Sequence, residues 1–329
     1  MNNNIFPLTG GFLTPGEIKS YTDSLDSDTK KTVCRAEREY FSGKTADAKK
    51  TTLILTKSDD ADAITAYMLI NALISLAEGD FKNIEHLYRL LKAGSLISGS
   101  KEQNEKIKLL RLFFNIVIHN TEDIEFPHYG TDSFAGAGEL TPIAVYAYAH
   151  YLIICGDYGR AIGMCEGVLV SQSNIPVIQY IYLCLITSVG YIKRLQWDRA
   201  EYYFMSAWKK ALPDKFFMPF AEHRTLLSGM VEKCLRGSYN AEFKKITALA
   251  AEYHKNWVKI HNAATGDRLT DTLSATELNI AMLASGELSN SEIGEFLNIS
   301  VNSVRAHLRN IFEKLDITSR KELPKYVIK

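Results

Sequence analysis

The chain has 329 residues, 46% of them hydrophobic, with 38 basic and 38 acidic side chains that cancel. That length supports two domains, or one domain with a repeat array, and the balanced charge gives no nucleic-acid signal for the chain as a whole. The opening Met-Asn-Asn-Asn lacks the basic and apolar regions of a signal peptide, and the five scattered cysteines (Cys34, Cys155, Cys165, Cys184, Cys234) form no CxxC pair, so they read as buried free thiols in a reducing cytoplasm.

Residues 1–30 are rich in Asn, Ser, Thr, Asp and Gly and predict a flexible N-terminal tail. Residues 31–262 then read as helix after helix, with little strand-like alternation. A unit recurs: an apolar helix, a Gly turn or its equivalent, an aromatic residue, then Ala. The clearest copy is Gly156-Asp157-Tyr158-Gly159-Arg160-Ala161; others begin at Gly79, Leu195 and Gly237, with a weaker first copy at Gly43. Successive turns at 43, 79, 156, 195 and 237 lie 36, 77, 39 and 42 residues apart, and the long gap holds one degenerate unit centred near Asn120. Gly closes the first helix in a left-handed conformation, the aromatic fills the wedge between paired helices, and Ala lets the second cross closely. Helical hairpins at such a period stack into an α-solenoid.

Two segments of this region stand out. Residues 125–141 form a long Gly-rich loop, which is either functional or a tolerated insertion. Val177–Ile192 is the most apolar stretch, too short for a membrane span of ~20 residues and better suited to a buried helix. Tyrosines crowd residues 146–203, with Trp197 and Trp208 nearby; they pack between repeats or line a groove for a small effector or a peptide. Residues 263–272, with Gly266, read as a linker.

From 273 the pattern tightens. Ser274 and Glu277 make a capping box, with Leu273 and Leu278 as its hydrophobic staple, and the helix stops at Gly286. Ser289-Asn290-Ser291-Glu292 makes a second box, opening a short helix that buries Ile293, Phe296 and Leu297. Asn298 takes the tight corner, and Ser300 caps a third helix. There Val304, Leu308, Ile311, Phe312 and Leu315 form one apolar stripe, leaving Asn302, Arg305, Ala306 and Arg309 on the opposite face. Charge changes sign along this domain. Residues 268–299 carry one cation and five anions; residues 300–329 carry seven cations and three anions, a net +4. Two arginines four apart behind a tight turn suit the major groove, where Arg bonds guanine bidentately, and small Ala306 lets the backbone approach a base edge.

These runs carry two family resemblances. Leu-Ser-Ala-Thr-Glu (273–277), Leu-Ser-Asn-Ser-Glu-Ile (288–293), the run from Ile299 to Leu315, and Ser-Arg-Lys-Glu-Leu (319–323) resemble the LuxR/GerE-type helix-turn-helix of bacterial regulators. The resemblance implies that 301–315 is the recognition helix and that Arg305, Ala306 and Arg309 read bases. It implies that Ser300, Ser303, His307 and Lys314 contact the DNA backbone or support the helix. The fourth helix of that family is a dimer surface, which implies a homodimer, but Pro324 at its fifth position stands against it. The repeat region, most clearly over 142–255, resembles the tetratricopeptide-like part of MalT-like regulators, although its units exceed that class's ~34 residues.

No catalytic set appears. Gly43-Lys44-Thr45 is not a phosphate-binding loop, because position 38 is Arg where such a loop needs Gly. The eight histidines lack metal-ligand spacing, and His254 and His261 read as surface residues. The sequence therefore predicts an all-α, non-enzymatic cytoplasmic protein without cofactor, metal or membrane span: an α-solenoid of helical hairpins over 31–262, then a small four-helix DNA-binding domain over 273–329. Its partners are double-stranded DNA and a small-molecule or peptide effector. The competing reading is a repeat-protein adaptor that acts through protein partners and carries a vestigial DNA-binding domain.

Overall fold

The computed structural model describes residues 5–58, 60–93, 109, 111–120, 138–267, 269, 272–297 and 299–327. Among these the fold is all-α. The Gly-rich loop lies almost wholly outside the described residues, as does Asn298.

The N-terminal region runs through α1 (Pro7–Gly11), α2 (Ile18–Ser24), α3 (Asp28–Phe41), α4 (Thr45–Leu55), α5 (Ala61–Glu78) and α6 (Phe81–Ala93). A helical stretch over 111–117 follows. Then come α7 (Thr141–Ile154), α8 (Tyr158–Ser171), α9 (Val177–Lys193), α10 (Trp197–Ala211), α11 (Met218–His223), α12 (Met230–Leu235) and the long α13 (Asn240–Thr265). The C-terminal domain holds α14 (Ala275–Ser285), α15 (Asn290–Leu297), α16 (Val301–Leu315) and a 3₁₀ turn over Arg320–Lys325.

One closing geometry recurs at the hairpin turns. Gly43, Gly79, His119, Gly156 and Leu195 all have positive φ. At each, the next amide donates to the carbonyl five residues back: Lys44 to Glu39, Asp80 to Ser75, Asn120 to Asn115, Asp157 to Leu152, Gln196 to Tyr191, all between 2.8 and 2.9 Å. These are the bonds of a left-handed helix stop. In the stretch between Gly79 and Gly156 the turn of this kind among the described residues lies at His119–Asn120. Gly237 differs: its φ is not left-handed, and α12 passes to α13 through a run of turns.

The flexible tail expected over 1–30 is replaced, across its described part, by docked structure. Ile5, Phe6, Leu8 and Phe12 are buried in the core. The Glu37 carboxylate accepts bonds from the amides of Leu8 and Thr9 at 2.9 and 3.0 Å and from the Thr9 hydroxyl at 2.6 Å. The Tyr21 hydroxyl holds the Pro7 carbonyl at 2.5 Å. A polar average composition concealed four apolar anchors.

Helix α9 is the central element, buried along nearly its whole length and packed on α1, α7, α8, α10 and α11. Helix α13 runs across the ends of successive hairpins. Its Leu249 faces Gly43 and its Asn256 faces Gly79, where added Cβ atoms would lie 2.5 and 2.7 Å from those side chains. Asn256 donates to the Ala77 carbonyl, Trp257 to that of Val117, and the His261 ring bonds that of Ile118. The cysteines divide: Cys34, Cys165 and Cys184 are buried, Cys234 is half-buried, and Cys155 is exposed.

Candidate nucleic-acid interface

Side-chain caps set the helices of the C-terminal domain. Ser274 and Glu277 bond each other's backbone amides in a capping box at the start of α14. Ser289 and Glu292 do the same for α15, and Ser300 accepts from the Ser303 amide at 3.0 Å to start α16. Between α15 and α16 the chain turns tightly enough that the Gly294 carbonyl accepts from the Ile299 amide at 2.9 Å. A Cβ at Gly294 would sit 2.8 Å from the Ile299 carbonyl oxygen, so this corner needs glycine. The sequence signal was a small residue on the inner face of α15, and it is read only once the corner is seen.

Val304, Leu308, Ile311 and Leu315 are buried, and Asn302, Arg305, Ala306 and Arg309 face solvent along one side of α16. Ser300 is exposed, whereas Ser303 and His307 are half-buried at the edge of that face. Arg305 lies 3.4 Å from the Asn302 amide oxygen. Leu308, Phe312 and Ile317 floor a shallow groove beside the two arginines.

Two cations of the basic segment are engaged inside the domain. Lys314 bonds Glu277 at 2.7 Å and ties α16 to α14. Burial raises the Glu277 carboxyl, but its bonds to Lys314 and Ser274 outweigh this and leave it below the usual range. Arg320 bonds the carbonyls of Ala284 and Leu288, closing the end of α14. There the left-handed residue is Glu287, not Gly286.

Two expectations are corrected. The fourth helix is only a six-residue 3₁₀ turn, because Pro324 inside it has no amide to donate; Leu323 is nevertheless fully buried. Phe296 and Leu297, expected in the domain's own core, are half-buried and turned towards the N-terminal region: the Phe296 ring packs on Trp197 with centroids 4.2 Å apart.

Within the helical region the tyrosines divide. Tyr146, Tyr148, Tyr182 and Tyr191 are buried, Tyr151, Tyr158, Tyr180 and Tyr203 are half-buried, and Tyr202 is 66% exposed. Most are thus packing residues, and several join an internal polar cluster that spacing did not announce. His261 is buried, not superficial, and His254 is half-buried. His119 and His150 share a bond of 3.0 Å between their Nε2 atoms; Tyr146 lies 3.1 Å from His150 Nδ1 and 3.0 Å from His223 Nε2; His223 Nδ1 lies 2.7 Å from the Pro219 carbonyl. Burial pushes His119 down to about 3 and His223 to about 4, and holds His150 far below its ordinary value, so all three are neutral. The Pro219 carbonyl then fixes every proton: His223 Nδ1 donates to it, Tyr146 donates to His223, His150 Nδ1 donates to Tyr146, and His119 donates to His150. Beside them Glu222 accepts from Tyr40 and Tyr182, and burial raises its carboxyl to about 7. A cavity of about 30 Å³ lies between these groups.

A capped helix, a tight corner and a second helix with exposed arginines define a helix-turn-helix DNA-binding domain. Residues 271–327 match the family described as bacterial regulatory proteins, luxR family, so the C-terminal domain is a LuxR-family helix-turn-helix, preceded by a large all-helical region. The chain is 35% identical over 103 residues to the oxygen regulatory protein NreC of Staphylococcus carnosus, covering 31% of this chain and 46% of that protein. It is 34% identical over 101 residues to NreC of Staphylococcus haemolyticus, covering 30% and 45%. It is 48% identical over 50 residues to YhjB of Escherichia coli, HTH-type by its name, covering 15% and 24%. The chain thus spans less than half the length of the curated relatives it matches. No solved structure matches it.

Proposed function

We propose that the protein is a sequence-specific DNA-binding transcription regulator of the cytoplasm, with α16 as its recognition helix and the helical region as its sensor. The observation that carries this reading is the exposed row Asn302, Arg305, Ala306 and Arg309 on α16, the second helix of the helix-turn-helix pair in a LuxR-family domain. Arg305 and Arg309 read bases in the major groove, and Ala306 permits close approach. Ser300, Ser303 and His307 flank them towards the phosphates. Lys314 acts by holding α16 on α14, in keeping with its ion pair to Glu277.

The repeated left-handed turns support the likeness of the helical region to tetratricopeptide-like, MalT-like arrays. Such arrays present surfaces to effectors or partner proteins. The internal cavity has room for little more than a water or two and not for an organic molecule, so an effector or peptide engages the outer face of the array.

The test is selection of bound duplexes from a random pool, followed by titration. Arg305→Ala and Arg309→Ala each weaken the selected duplex by ~1–3 kcal/mol and relax preference at one base position. Equal binding of wild type and both variants to every duplex would overturn the reading in favour of a protein-binding adaptor. A palindromic selected site indicates a homodimer.

A further inference from the structure

The contact between the two regions is built more closely than a passive tether requires. Phe296 packs on Trp197 in a tilted pair with centroids 4.2 Å apart, and the Lys233 ammonium lies 5.8 Å from the Phe296 ring. Leu297 comes so near Gly229 that a Cβ there would lie 2.6 Å from its Cδ2, and Gly229 has a φ of +93°, so this close approach is available only to glycine. The next helix, α12, is pinned to the end of α11 by a nearly buried ion pair of Arg224 and Glu232. The linker is fastened as well: Asn262 and Leu269 exchange two bonds of 3.0 Å, and His261 bonds Asp267 at 2.8 Å.

The DNA-binding domain does not need Phe296 for its own core, which Ile293, Val304, Leu308 and Ile311 fill. Phe296 and Leu297 are the last residues of α15, just before the corner that leads to Ser300. In a helix-turn-helix complex the first helix crosses the phosphate backbone and the start of the second enters the groove. A domain docked at that corner stands beside the path of the duplex. Lys233 is paired with Glu201 at 2.9 Å and sits over Phe296, and Asp198 follows Trp197 on an exposed turn of α10.

We propose that the Trp197–Phe296 contact is an intramolecular latch: closed, it holds α15 against the helical region and lowers affinity for duplex DNA; released, it frees the corner for the backbone. This rests on the DNA-binding reading above and gives the helical region a physical means of regulating it. A ligand of the array shifts the equilibrium by as much as it favours the open form.

The experiment uses the full chain and a duplex selected as above. Trp197→Ala and Phe296→Ala lie in different regions, so a folding defect in one does not mimic the other. Each raises affinity about two- to tenfold, the range an aromatic pair supports. The double variant binds no more tightly than the better single one, because one contact is broken once. Cleavage between the regions by a protease quickens in the same variants at an unchanged melting temperature. Wild-type or weaker affinity in both single variants, or gains that add in the double, overturns the latch. If Arg305→Ala still weakens wild-type binding in that case, the regulator reading stands and only the latch falls. If no form binds any duplex, both fall.

Discussion

His223 sits where its Nδ1 meets a carbonyl and its Nε2 meets the Tyr146 hydroxyl, so neutrality is a condition of the packing. The consequence is a pH dependence with a definite sign. His119, His150 and His223 titrate in the folded protein far below the ordinary ~6.5, so the stability they lend is present above that value and is lost as pH falls towards 4. Glu37 and Glu222, raised by burial to about 7, have the opposite sign: their contribution is full below the ordinary ~4.3 and is lost as pH rises through 7. Together these groups oppose one another, so stability declines on the acid side through the histidines and on the alkaline side through the two carboxyls. Urea unfolding between pH 5 and 8 checks this, and Glu222→Gln flattens the alkaline side. An alkaline side equally steep in that variant would show that Glu222 does not titrate in the range.

At the scale of elements, glycines at equivalent turns carry unequal burdens. Gly156 and Gly79 share the left-handed stop, with φ of +83° and +75°. A Cβ at Gly156 meets nothing within 4 Å, whereas at Gly79 it lies 2.7 Å from Asn256 on α13. Gly156→Ala therefore costs only the conformational penalty, about 1 kcal/mol, while Gly79→Ala costs more because Asn256 must also release the Ala77 carbonyl. Denaturant melts of the two variants give the difference; equal losses would mean that α13 is not braced on the turn. The contrast also marks what could be read from the chain. Left-handed stops, capping boxes and the stripe of α16 are local, set by residues a few positions apart, and were legible at Ser274, Ser300 and Gly156. The bracing of Gly79 by Asn256, the histidine cluster and the contact of Phe296 with Trp197 join residues far apart in sequence, and no local period reports them. Phe296 shows the limit most clearly: its spacing fits a core residue, and only the tertiary partner separates a core face from a docking face.

The whole molecule is neutral, so its interaction with a polyanion depends on where unpaired cations stand. In the C-terminal segment Lys314 and Arg320 are engaged by Glu277 and by backbone carbonyls, while Arg305, Arg309, Lys321 and Lys325 are exposed. Each phosphate neutralised releases condensed counterions, which gives a slope of log affinity against log salt of about −0.9 per contact. With Arg305 and Arg309 on base edges, the remaining two of these exposed cations among the described residues, Lys321 and Lys325, give a slope of about −2 for one domain on duplex DNA, and about twice that if two copies bind as a unit. Arg320–Lys325 is a six-residue 3₁₀ element with Pro324 inside it, too short to offer a long helical surface, and the single-domain slope is the prediction on that ground. Affinity measured from 50 to 200 mM salt decides between the two stoichiometries, and a doubled slope would require a dimer surface elsewhere on the chain. Arg309→Ala tests the same count from the other side. As a base reader it relaxes preference at one position and leaves the slope nearly intact, whereas Lys321→Ala lowers the slope by about one and spares the preference. Opposite outcomes for the pair would exchange the roles given to α16 and to the segment after it.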